Sequence, residues 1–138
     1  MNKFLLVIIV FSVSIFAQSN DERLTESIEN LFAVSKQRDY TKVCDLIAYT
    51  GSDETRYLSA KLNAKNNYEL QQAERIAKKI KAYVDISDSY EITSTDMVKE
   101  EDKEFLHAKI EFKSGKQILE VVFKFVEINE VLLLVEID

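Results

Sequence analysis

The side chains of this chain that could move a proton or hold a charge-bearing ligand are few, and one of them stands out. Counted back from Asn129-Glu130 as a two-residue turn, the last two strands pair Phe125 with Leu134 and Phe123 with Glu136. A carboxylate set beside aromatic rings is desolvated, which favours its neutral form and suits it to act as a general base or to hold a cationic ligand. Near the C-terminus a second arrangement stays open, in which fraying or a one-residue slip turns Glu136 to water. Tyr40 and Tyr57 supply hydroxyls to the same pocket, or else pack as core residues with the hydroxyl at the rim. Tyr40, Tyr57, Phe123, Phe125 and Glu136 are therefore the candidate ligand-binding residues.

The other reactive types are sparse. The 138 residues hold one Cys, one His, two Gly and no Pro. A catalytic triad, a glycine-rich phosphate loop or a Cys/His metal centre cannot be assembled from that stock, so no cofactor and no metal is expected. Cys44 reads as a small buried residue on a helix, His107 as a strand residue on the outer sheet face, too far along the chain to serve as its base. The acidic run Lys99-Glu-Glu-Asp-Lys103 lacks the glycine-assisted wrap of a calcium loop and reads as a solvated hairpin tip. With 24 acids against 18 bases, a net charge of −6 and no basic run, the chain lacks the footprint needed to neutralise phosphates, which argues against nucleic acid as a partner.

Residues 1–17 read as a secretory signal peptide: Lys3, then an apolar run from Phe4 to Phe16, then Ala17 before a polar stretch. The run is short for a spanning helix. The expectation is a periplasmic or secreted protein whose mature domain is 18–138, touching membrane only through the leader.

From Asp21 the spacing of Leu24, Ile28, Leu31 and Phe32 predicts a helix to about Lys36. Asp39 caps a second short helix through Tyr40, Val43, Cys44 and Ile47, ending before Gly51. Residues 54–67 read as a loosely helical connector. A longer helix over 68–84 turns Leu70, Ala73, Ile76, Ala77, Ile80 and Tyr83 inward and Glu69, Glu74, Arg75, Lys78, Lys79 and Lys81 outward. After Ser87 the period becomes two, predicting strands over 90–99, 104–113, 116–128 and 131–138. Helices followed by strands define an α+β domain, N-terminal helices on an antiparallel four-stranded meander.

Taking Ser114-Gly115 as the turn pairs Phe112 with Gln117, Ile110 with Leu119 and Leu106 with Phe123 on one face, and Lys109 with Glu120 on the other. The outer face then collects Val122, Val126, Ile128, Val131, Leu133, Val135 and Ile137. Such a patch calls for a cover, and a homodimer through Val122, Val126, Leu133 and Val135 is the expectation, unless a helix or loop lies there instead.

The layout, with Arg38-Asp39-Tyr40 opening the second helix, Ile76-Ala-Lys-Lys-Ile80 in the third, Ser114-Gly115-Lys116 between strands and the apolar Val131–Asp138 strand, resembles the cystatin-like, nuclear transport factor two-like superfamily, in particular its small secreted bacterial domains. The resemblance covers residues 21–138. It implies a cone-shaped sheet around the helices, a concave pocket and frequent dimerisation through the convex face. The superfamily includes isomerases and dehydratases, but none of their catalytic motifs maps onto these residues. The expected function is an extracytoplasmic, non-enzymatic module for a small apolar ligand or a protein partner. The alternatives are a pocket enzyme of isomerase or dehydratase type using Glu136 and a Tyr, and an inhibitor or assembly subunit of the envelope.

Overall fold

The computed structural model describes residues 21–138; the leader reading at 1–17 lies outside them. The first described helix, α1, runs through 21–36 and buries Leu24, Ile28, Leu31 and Phe32, the stripe its spacing defines. It stops where Arg38 adopts a left-handed backbone, φ 60°, and the Asp39 amide donates back to the Val34 carbonyl at 3.3 Å. Asp39 caps α2 (Tyr40–Cys44), its carboxylate accepting from the Lys42 amide. Asn66 caps α3 (Asn67–Ile86) in the same way, accepting from the amides of Tyr68 and Glu69. No described helix is long and apolar enough to cross a membrane.

The sheet is an antiparallel meander in the order β1-β2-β3-β4, with β1 Ser89–Glu100, β2 Lys103–Ser114, β3 Gln117–Ile128 and β4 Val131–Ile137. Helices before strands, packed on one face of the antiparallel sheet, make this the α+β architecture the patterns imply. The inner face carries Ala108, Ile110, Phe112, Val121, Phe123, Phe125 and Leu134 into one core with α1, α2 and α3. Phe123 is fully buried, a contribution of about 2–3 kcal/mol from apolar burial alone.

The β2–β3 turn corrects the predicted pairing. Ser114 pairs with Gln117, so Gly115 and Lys116 form the turn, and Phe112 meets Leu119 rather than Gln117. Gly115 has φ 58°, and placing it first in the turn gives that conformation to the residue without a Cβ. The slip is two residues along the partner strand, so every side chain keeps its face. Lys109 and Glu120 become diagonal neighbours, still 3.5 Å apart.

The β3–β4 turn forms at Asn129-Glu130, with φ 50° and 65°, and pairs Phe125 with Leu134 as predicted. Beyond it a bulge intervenes. The register shifts between Lys124 and Phe125, so Val135 has no partner, Lys124 faces Glu136 and Phe123 faces Ile137. Val135 and Glu136 therefore lie outward and Ile137 inward. The predicted Phe123–Glu136 pair is replaced by an apolar one, and the bulge avoids burying an unpaired carboxylate, a cost of several kcal/mol.

The outer face is partly covered from within the chain. Phe105, Val126 and Leu133 form one row across β2, β3 and β4, and Ala48 and Leu58 of the segment between α2 and α3 pack on it. Backbone bonds hold this segment to β4, with Ala48 N–H to Leu134 O at 2.8 Å and Leu134 N–H to Leu46 O at 2.9 Å.

Candidate functional site

α3 and the second half of α1 cover one end of the inner face. There Phe32 meets Tyr90 edge-on at 4.9 Å between centroids, and Tyr83 packs on Phe112 at 5.4 Å. The other end of the inner face is more open. The inner-face side chains Met97, Leu106, Phe125 and Leu132 line a cleft of about 650 Å³, with Leu58 at its side. Met97 is 64% exposed, and Leu106 and Leu132 are half-buried. Phe125 forms the floor.

The rim is charged, with Asp21, Arg23, Lys99, Asp102, Lys103, Glu104 and Glu127 around the mouth. Arg23 is tied down, donating to Glu127 Oε1 at 3.2 Å and to the Glu130 carbonyl at 2.7 Å. Lys103 Nζ donates to the Leu58 carbonyl at 3.1 Å, which fixes the cleft wall. Lys99 faces Glu104 across the hairpin. The rim thus mixes both signs above an apolar floor.

The segment between α2 and α3 is tied to α3 by an ion pair whose acid, Glu69, the residue pattern placed on the outer side of the helix. Glu69 is only 4% exposed, on the inner side of α3 rather than outside it. Its carboxylate receives both guanidinium nitrogens of Arg56, at 2.8 and 2.9 Å, and the Asn63 amide at 2.6 Å. The bidentate Arg56 bond holds the Glu69 carboxyl below its usual range, against the upward push of burial. Arg56 also donates to the Lys61 carbonyl and lies 4.0 Å above the Tyr49 ring. A Cβ at Gly51 would collide with that ring. The signal was present: Asn66 followed three residues later by Glu69 is a helix-start pattern, and the N3 position is one where a carboxylate finds amide donors.

The structure does not bring the five predicted ligand residues together. Phe125 alone lines the cleft. Phe123 is sealed in the core, Tyr57 is 48% exposed on the connector, and Tyr40 borders a shallow groove with Arg38 and Lys78. Glu136 is exposed on the outer face beside Lys124, because the bulge at Val135 turned it there. On that face Lys124 bonds Glu100 at 2.8 Å and sits 4.3 Å over the Phe105 ring, with His107 Nε2 4.0 Å from Glu100. His107 lies outside the cleft, as its strand position predicts. Cys44 is buried, and desolvation, reinforced by Asp45 and Glu69, pushes its thiol up and away from the reactive thiolate.

The fold and cleft thus define a small α+β chain with an open-ended inner face. No family model matches the chain, and no curated protein matches it significantly. Among solved structures it is similar to a substituted variant of a chain named Rd1NTF2_05, with a TM-score of 0.49 and 12% identity over 86% of this chain and 97% of the other.

Proposed function

We propose that the chain is a non-enzymatic binding module whose open-end cleft takes a small ligand with an apolar body. The observation that carries this reading is the run of apolar inner-face side chains left incompletely covered: Met97 exposed, Leu106 and Leu132 half-exposed, in a cleft of small-molecule size. A mixed-sign rim leaves room for a polar end on the ligand. Export belongs to the same reading and rests on residues 1–17; intact mass of the exported chain starting at Gln18 supports it, and retention of Met1 refutes it.

The test uses anilinonaphthalene sulfonate as a fluorescent apolar probe and decanoate as competitor. Saturable probe binding that decanoate displaces, weakened by Leu106→Gln and unchanged by Glu136→Gln, is the expected result. Probe binding that Leu106→Gln leaves untouched places the ligand elsewhere.

A further inference from the structure

The sheet order leaves β1 paired on one side only, so one flank of this twelve-residue strand is an open edge. Its flat part is bounded. A register shift between Ile92 and Ser94 breaks the strand, and the turn after Glu100 ends it. Because Glu100 faces Lys103 across a two-residue turn, Ser94, Asp96, Val98 and Glu100 aim their amides at β2, and Thr95, Met97 and Lys99 aim theirs outward. The same three residues place their side chains on the inner face, at the cleft.

We propose that two copies of the chain pair antiparallel through β1 about Met97, forming one continuous sheet and joining their clefts so that each receives the other's Met97. Charge selects the copy and the register. Centring the pairing on Asp96 opposes two aspartates, centring it on Val98 sets Asp96 against Glu100, and centring it on Lys99 opposes two ammonium groups. Centring it on Met97 opposes no like charges. It sets Met97 on Met97, Thr95 on Lys99, Asp96 on Val98 and Ser94 on Glu100, where the hydroxyl donates to the carboxylate. In this register alone all three outward-facing residues of one copy meet those of the other, so their N–H and C=O groups are mutually satisfied. Met97, 64% exposed in the single chain, becomes the centre of the contact. The edge differs from the outer-face patch around Val122 and does not depend on any ligand.

Position 97 lies on the two-fold axis and therefore faces itself, at about 5.5 Å between Cα atoms, within disulfide reach. Mild oxidation of the full chain carrying Met97→Cys should give a covalent dimer, while Asp96→Cys, which faces Val98, should cross-link at least about tenfold more slowly. Cys44 is buried and does not compete. Thr95→Pro removes an outward amide and leaves the β2 ladder intact, so it should weaken the dimer at least about tenfold in sedimentation equilibrium with circular dichroism unchanged. A chain that stays monomeric up to millimolar concentration overturns the proposal. So does equal cross-linking at positions 96 and 97, or a dimer that Val122→Arg breaks and Thr95→Pro does not.

Discussion

The two ends of the inner sheet face are both apolar and end in opposite conditions. At one end Phe32, Tyr83, Tyr90 and Phe112 form a ring cluster under α1 and α3. At the other, Met97 and Leu106 lie on the same face of the same two strands, β1 and β2, beside a cleft that α1 borders only at its rim. What separates core from cleft is cover, set by where α1 crosses the sheet and where α3 ends. An apolar strand pattern therefore marks a face and leaves its occupant undetermined.

The contrast can be broken most strongly at Phe123, which has no exposed surface. Phe123→Ala should cost about 3–5 kcal/mol in denaturant unfolding, the range for emptying an aromatic site in a packed interior. A loss under about 1 kcal/mol would mean that the covered end is not close-packed.

Next comes the ion pair that holds the segment between α2 and α3 to α3. Glu69→Gln should cost about 2–3 kcal/mol, since it leaves the Arg56 guanidinium without its charged acceptor. The carboxyl is lowered from 4.5 in the folded chain, so its contribution is complete above that value and is lost as pH falls through the lowered folded one. Stability measured from pH 6 downward should therefore fall less steeply in Glu69→Gln than in the unmutated chain. Parallel pH profiles would remove Glu69 from the acid response.

A smaller effect of opposite sign is expected at the β3–β4 turn. Glu130 holds φ 65°, a left-handed conformation that strains a residue with a Cβ. Glu130→Gly should stabilise the chain by about 1 kcal/mol, and its carbonyl remains to accept from Arg23. Thermal unfolding that shifts downward would contradict this.

The smallest change belongs to the open end. Met97→Ala should alter monomer stability by less than about 0.5 kcal/mol, because Met97 is 64% exposed and has little burial to lose. A loss near that of Phe123→Ala would show that the two ends are equally packed.

Much of this arrangement is legible in the residues. Leu24, Ile28, Leu31 and Phe32 mark the face of α1, Asp39 its successor's cap, and the period-two runs the four strands, because each is a local property of neighbouring side chains. The faces of β2 and β3 survive a turn displaced by two residues, since two is the side-chain period. What escapes the sequence is what depends on remote partners. The bulge at Val135 exchanges Glu136 for Ile137 on the inner face, and no local preference announces it. Glu69 has a surface residue's composition and becomes buried only because Arg56, thirteen residues earlier, reaches it. The outer-face patch at Val126 and Leu133 looks uncovered until Leu58 is folded onto it. The cleft itself is a gap in helix cover, legible only once α1 and α3 have been placed.

The most direct measurement is amide chemical-shift mapping of the chain titrated with decanoate. Saturable shifts concentrated at Met97, Leu106, Phe125 and Leu132, with Glu136, Tyr40 and Tyr57 unmoved, are the predicted result. Shifts absent from those four residues, or centred on the outer face around Lys124 and Glu136, would contradict it.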